Sequence, residues 1–359
     1  VPQVSQLPDP EVGLGLFVLP VETRLGPQWV LVGFTQLFPW KGTRDARADV
    51  VLAMAKSRYE GIADRQLKLF LDIKIAWYEL YQLRKSQTIL QRNLTLLESI
   101  KTIAEAKVEN GQASLSDVLQ TQLTIRALQN RLAQLQNAER KPLATLHQLL
   151  NRPQNSPIDI SDSLQVAVLN YNRDSLAAKI QRTHPRLEKL AWQQQTARNE
   201  IRLNKLEGKP SFAVGLDYIL VGQRNDADPA NNGRDILLPR VGMKVPIYRK
   251  KYTAKTQEEQ LKINALELQQ ENTLNTFQAS IEQAYADYDA AILNLDFYQQ
   301  QVETLQTTLR ILRTAYSNNG NNFEDLLRLQ NQLINYDLQQ LQAIIETHLA
   351  KARIEQFLR

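Results

Sequence analysis

Apolar residues recur every seven positions along most of this chain, a spacing typical of the buried seam of a coiled coil. Pro is absent from Trp40 to Lys141 and again from Ile247 to Arg359, so no proline breaks a helix there. We therefore predict very long helices, of which the first, over Thr43–Glu109, would be about 100 Å long. Two of these series are Ile62, Leu69, Ala76, Leu83, Leu90, Leu97 and Ala104, and Tyr288, Leu295, Val302, Leu309 and Tyr316.

Two stretches instead alternate apolar residues with polar or small ones, which predicts β-hairpins. The first hairpin covers Val12–Leu19 and Trp29–Leu37, and the second covers Phe212–Leu220 and Leu238–Val245. Strands of about 9–11 residues can cross a bilayer when they are tilted. We predict that one apolar face of the second hairpin contacts lipid, because the other face carries small and polar residues. The predicted lipid-facing residues are Val214, Leu216, Val241 and Met243.

Aromatic residues lie near the ends of these predicted strands, where a membrane interface would be. They are Trp29, Trp40, Tyr218 and Tyr248. Trp and Tyr are enriched at membrane–water interfaces, so we predict that these four form an aromatic belt. The alternative is ordinary packing at the corners between strands and helices.

The two halves of the chain repeat the same order of patterns. Asn110-Gly111 followed by Asp117 recurs as Asn319-Gly320 followed by Asp325, at an offset of roughly 208 residues. Each half reads strand, strand, very long helix, tight turn and shorter helix. We assign a first repeat to residues 1–150, a linker to residues 151–183 and a second repeat to residues 184–359. The second repeat opens with a helix that has no counterpart in the first.

A four-stranded sheet with lipid-facing side chains cannot stand alone in a membrane, because its edge strands would lack hydrogen-bond partners. Three copies of four strands would close into a twelve-stranded barrel, an even number within the known range. The predicted fold class is mainly α with β. Long antiparallel coiled-coil helices and internal duplication are combined with four strands per protomer, which contribute to a trimeric 12-stranded transmembrane β-barrel.

Composition removes several classes of function. The net charge of +5 over 359 residues, without a basic run, does not indicate nucleic-acid binding. Cys is absent and the three His residues lie far apart, so the sequence offers neither a thiol nor a metal site. No nucleophile, acid and base occur in a catalytic arrangement. We predict that the protein is not an enzyme and uses no cofactor.

Short motifs carry a resemblance to a known family. They are Leu7-Pro-Asp-Pro10 before the first strand, Gln36-Leu-Phe-Pro-Trp40 with Gly42 at the strand–helix junction, and the two Asn-Gly turns. Together with the duplicated hairpins and long helices, they resemble the TolC family of outer-membrane efflux channels over essentially the whole chain. The Val21–Pro27 loop and the Phe-Pro-Trp junction are more similar to the heavy-metal cation branch of that family than to the drug branch.

The resemblance implies a homotrimer in the outer membrane of a Gram-negative bacterium, surrounded by lipid and extending into the periplasm. It also implies docking to a periplasmic adaptor (membrane fusion) protein and an inner-membrane pump. The function implied is passive export of heavy-metal cations or drugs through the channel of a tripartite pump. The alternative function is a soluble periplasmic coiled-coil adaptor or scaffold protein of a transport complex.

The same resemblance implies a periplasmic gate. Asp325 matches the first of the family's paired tip aspartates, Arg328 stands where the second would be, and Asp117 is the equivalent in the first half. Three copies of Asp325 would form a ring that selects cations. The alternative is that both aspartates only stabilise the positive ends of their helices.

The two Asn-Gly turns close the long helices, and we expect them to lie at the end remote from the barrel. A ring of such turns would be the part of the channel that meets a partner in the periplasm. The predicted adaptor-docking tip comprises Gly111, Leu115, Gly320 and Phe323.

Overall fold

The computed structural model describes residues 1–154, 156–160, 163–319 and 322–358. Most of this chain is helical, and four strands form a single sheet. No helix within these ranges is both long enough and apolar enough to cross a membrane. The elements in chain order are α1 (Pro2–Ser5), β1 (Glu11–Thr23), β2 (Gly26–Phe38), α2 (Thr43–Glu109), α3 (Leu115–Ala138), α4 (Arg140–Leu149), α5 (Arg173–Thr183), α6 (Pro185–Glu207), β3 (Ser211–Val221), β4 (Ile236–Lys244), α7 (Lys250–Asn319) and α8 (Phe323–Glu355).

The sheet is antiparallel with the strand order β1-β2-β3-β4, so the two predicted hairpins lie side by side and β1 and β4 are its edges. The first hairpin is longer than expected, since Pro20 does not end β1. Pairing shifts register between Leu16 and Val21 and then continues to Thr23↔Gly26. Proline is tolerated here because β1 is an edge strand with a local irregularity and does not need a donor at that position.

The chain divides into two compact units, each built from both halves of the sequence. The first unit comprises Val1–Ile62 and Pro185–Thr273, and it contains all four strands. The second unit comprises Ala63–His184 and Leu274–Arg359, and it contains α3, α4, α5 and α8. The helices α2 and α7 each contribute to both units.

The core of the second unit follows the predicted heptads. Leu90, Leu97 and Ala104 of α2 are buried, as are Leu295 and Leu309 of α7. Val118 and Ile125 of α3 form one cluster with Leu90, Leu97, Ala104 and Leu309. The coiled-coil prediction is therefore confirmed in this unit. The first positions of the α2 series, Ile62 and Leu69, are exposed in the single protomer.

A polar layer interrupts this apolar core. The side chain of Gln330 is fully buried, and its Nε2 donates to Oδ1 of Asn93 at 2.8 Å. Its Oε1 accepts from Nη2 of Arg313 at 2.7 Å. Buried amides need such partners, because an unsatisfied one costs about 1–3 kcal/mol. The layer ties α2, α7 and α8 together at one level.

Candidate functional site

One face of the sheet is apolar and open to its surroundings. The register places Val214 opposite Val241 and Phe212 opposite Met243, so alternate residues of β3 and β4 share this face. Leu216 lies between Phe34 of β2 and Pro239 of β4. The four residues predicted to contact lipid all lie on this face, with 44–82% of each exposed. Their contact with lipid remains a prediction.

The opposite face carries an ion pair that sequence analysis did not identify as a pair. Nε of Arg240 on β4 lies 2.8 Å from Oδ2 of Asp217 on β3. Nη2 of Arg240 also donates to Oγ1 of Thr35 on β2, at 3.4 Å. Alternation had placed these residues on the polar face, but only the strand register shows that Asp217 and Arg240 are close enough to bind.

The four predicted belt residues lie toward the two ends of the strands. Trp40 follows β2 at the helical end, where its ring stacks on Phe212 with 6.2 Å between centroids. Tyr248 follows β4 at the same end and is exposed. Trp29 and Tyr218 lie toward the hairpin-loop end, where the Tyr218 hydroxyl donates to Asp235. This distribution fits an aromatic belt at each interface, which remains a prediction.

In the second unit, α2 ends in a tight turn at Gly111. Its φ of +68° is left-handed, a conformation that glycine adopts at low cost. The backbone N of Gln112 donates to the carbonyl of Lys107 at 2.8 Å, and the Ser114 side chain then caps α3. The turn alone accounts for this glycine, so its docking role stays a prediction. Its counterpart Gly320 lies outside the described residues.

A group of polar side chains gathers beside this turn. Asp117 occupies the first turn of α3, where burial raises the pKa of its carboxyl. Burial and the charge of Asp117 together raise the pKa of Tyr316, near the end of α7, to about 12. The buried Tyr316 hydroxyl has no hydrogen-bond partner among the described residues. Nζ of Lys107 lies 5.8 Å from the Tyr316 ring centroid. An acid, a phenol and an ammonium group therefore meet where α2, α3 and α7 converge.

Phe323 does not lie on the surface where we expected it. Only 5% of it is exposed, and its ring packs 4.9 Å from that of Tyr316. An aromatic residue at the start of α8 gains more by entering the core than by facing water. We therefore reassign Phe323 from the docking surface to the core.

The apolar surface at this end of the second unit belongs to α3 instead. Leu115, Leu119 and Leu123 follow one another at intervals of four residues, which places them on one helix face. Each is more than half exposed. Of the three, sequence analysis had singled out Leu115 alone. The buried face of α3 carries Val118 and Ile125, so the three leucines form a second apolar face on the same helix. Here we call these three residues the leucine stripe.

Asp325, another predicted gate residue, is paired with a residue of its own helix. Oδ1 of Asp325 accepts from Nη2 of Arg328, one turn later, at 2.8 Å. Both side chains are more than half exposed. The pair neutralises the charge of Asp325, and Glu324 in the same first turn is also acidic. The gate role of Asp325 stays a prediction.

The three histidines are separate and serve packing or local hydrogen bonds. His147 is buried in α4, and His184 packs 4.4 Å from the ring of Phe277. Nε2 of His348 lies 2.6 Å from the carbonyl oxygen of Gln165. Across the ranges that the structure describes, no group of three His, Asp or Glu residues could hold a metal ion.

Solved structures of similar fold cover nearly the whole chain. The open outer-membrane channel MtrE of Neisseria gonorrhoeae matches with a TM-score of 0.77 and 14% identity, over 99% of this chain and 81% of that one. The outer-membrane protein VceC of Vibrio cholerae matches with a TM-score of 0.74 and 14% identity, over 97% and 87%. The outer-membrane channel OprN matches with a TM-score of 0.75 and 15% identity, over 98% and 79%. No protein-family model and no curated protein sequence matches the chain.

At these identities the likeness is one of fold. The chain has the fold of outer-membrane channel proteins, so the fold implied by the resemblance to the TolC family is confirmed.

Proposed function

We propose that this protein is the outer-membrane channel of a tripartite efflux pump and acts as a passive export duct. The observation that carries the proposal is the sheet, which has one open apolar face, an ion pair on the other face and two unpaired edges. In water the apolar face of such a sheet would be exposed, and in lipid the backbone groups of its edge strands would lack hydrogen-bond partners. It becomes complete when β1 of one copy pairs with β4 of the next and the apolar face meets hydrocarbon.

Three copies of the chain would close the barrel in the outer membrane of a Gram-negative bacterium. The fold of the channels that it resembles supports this arrangement. The long helices would extend into the periplasm, where their polar faces suit an aqueous surrounding. Because a duct only needs to hold open a water-filled path, no catalytic group or resident metal is required. The exported solutes would be heavy-metal cations or drugs, supplied by an inner-membrane pump.

Opening of the duct would be controlled beside the Gly111 turn. Asp117, Tyr316 and Lys107 lie near one another on α3, α7 and α2, so a relative movement of these helices changes the surroundings of all three groups. Burial opposes ionisation of Asp117, which makes its present position costly when the carboxyl is charged. Movement of α3 that exposes Asp117 to water would relieve this cost and favour an open state.

The leucine stripe would form part of the adaptor-docking surface, together with the Gly111 turn. Exposed apolar residues at helical spacing are suited to a partner helix that lies along them. To test docking, Leu115→Asp is compared with Gln112→Asp, which adds the same charge to the same turn without removing an apolar side chain. We expect Leu115→Asp to abolish export with trimers retained in the membrane, and Gln112→Asp to preserve export. Equal export by both variants would remove the docking role.

The channel function itself is tested by conductance in planar lipid bilayers. Purified protein added from detergent should produce stepwise increases in current. The alternative function, a soluble periplasmic adaptor or scaffold, predicts a protein that needs no detergent for extraction and produces no steps. Soluble, non-conducting protein would therefore replace the channel proposal with that alternative.

A further inference from the structure

We propose that Arg240, held in position by Asp217, is a selectivity residue on the inner wall of the barrel and makes that wall favour anionic solutes. Of the two solute classes named above, such a wall favours anionic drugs over heavy-metal cations. The inference rests on the proposed channel function, because it requires the polar face of the sheet to line the duct. It concerns a site in the first unit, separate from the residues beside the Gly111 turn.

The pair lies on the face that must avoid lipid. Asp217 and Arg240 alternate in sequence with Leu216 and Val241, which are on the open apolar face. A charged residue on the lipid-facing side near the middle of the bilayer would cost several kcal/mol, so the opposite face is the one available to an ion pair. Closure of the barrel then directs both side chains inward.

Two glycines make room for the pair to lie across three strands. A Cβ on Gly33 of β2 would come within 2.7 Å of Oδ1 of Asp217. A Cβ on Gly215 of β3 would lie 3.1 Å from Oγ1 of Thr35 and 3.7 Å from Cβ of Arg240. Because neither glycine has a side chain, Asp217 packs against the strand backbone and the Arg240 side chain extends over it. The arrangement is therefore a built site and not a chance encounter of surface charges.

The two charges differ greatly in their access to solvent. Only 5% of the Asp217 side chain is exposed, compared with 54% of the Arg240 side chain. A solute in the duct would meet the guanidinium first, with the carboxylate behind it. Three copies would place three guanidinium groups at one level of the wall, where rings of charge select ions by sign.

The test is the ratio of chloride to potassium permeability, measured from reversal potentials across planar bilayers in a salt gradient near 0.01 M. At that ionic strength the screening length is about 30 Å, so wall charges act across the duct. Arg240→Gln should lower the ratio by about twofold or more, since three buried carboxylates then lack their counter-charge. Asp217→Asn should raise it, and Arg240→Lys should keep most of the parent ratio. All these differences should disappear near 1 M salt, where the screening length is about 3 Å.

The matched control is Arg224→Gln. Arg224 also pairs with an aspartate, Asp226, at 2.6 Å, but it lies in the loop between β3 and β4 and not in a strand. This variant should leave the ratio unchanged. If the parent protein conducts and neither Arg240→Gln nor Asp217→Asn changes the ratio, the selectivity role is refuted and the channel function stands. If the parent protein does not conduct at all, the channel function fails and the selectivity role fails with it.

Discussion

Placing a lysine on the open apolar face of the sheet should strongly disfavour folding in a membrane. Leu216 is the position of choice, because its cross-strand neighbours Phe34 and Pro239 are apolar and it lies well inside β3. A lysine that faces the middle of a bilayer costs about 2–4 kcal/mol. At about 1.4 kcal/mol per factor of ten, Leu216→Lys should lower the folding equilibrium by roughly 30- to 700-fold.

The matched variant is Gly242→Lys on the opposite face. A Cβ at Gly242 would meet only the Cβ of Ala213, at 3.7 Å, which is an ordinary contact. The lysine would then extend into the aqueous duct, and we expect a cost below about 1 kcal/mol. The assay is urea-dependent folding into phosphatidylcholine vesicles, followed by tryptophan fluorescence and by protection from protease. Equal costs for the two variants, or a neutral Leu216→Lys, would show that the assignment of faces is incorrect.

Three further predictions concern the second unit. Gln330→Leu should destabilise the protein by about 2–4 kcal/mol, because Asn93 and Arg313 each lose a buried hydrogen-bond partner. The measurement is urea unfolding followed by circular dichroism. The control Gln339→Leu, on the exposed face of α8, should be nearly neutral, and equal effects of the two variants would refute the polar layer. Gly111→Ala should lower the free energy of unfolding by about 1 kcal/mol in the same assay. The loss comes from backbone strain alone, since nothing lies within 4 Å of the added Cβ. An unchanged stability would contradict the left-handed turn. Folding raises the pKa of Asp117, so the contribution of this carboxyl to folding stability is fully present below about pH 3.9 and is lost as the pH rises through its folded-state pKa. Asp117→Asn should therefore be more stable than the parent at pH 7 and should lose that advantage at pH 3.5. A stability difference that does not depend on pH would contradict this prediction.

Much of the fold could be predicted because its patterns are long. The helix over Thr43–Glu109 has the predicted bounds, since proline is absent from it and the Asn110-Gly111 turn follows it. Alternation identified all four strands. The error at Pro20 arose because proline usually ends a strand, whereas an edge strand with a register shift can accommodate it. Local sequence does not reveal which strand will be an edge.

The candidate site was less predictable, because it depends on contacts between distant elements. The pairing of Asp217 with Arg240 follows from the register of β3 and β4, which no single strand specifies. Phe323 was assigned to the adaptor-docking tip because it follows the second Asn-Gly turn, but Tyr316 of the preceding helix provides a core position for it. The leucine stripe on α3 was visible in the sequence as spacing of four residues. A second apolar face on a helix with a buried seam could have indicated a docking surface.

The mass of the purified protein in detergent tests the central claim most directly, since a four-stranded sheet can close only by combining copies. The chain has a mass of 41.1 kDa. Light scattering corrected for bound detergent should give three times that value, with a circular-dichroism spectrum rich in helix. A folded, monodisperse monomer with the same spectrum would contradict the account, because its sheet edges and apolar face would then be stable without a barrel.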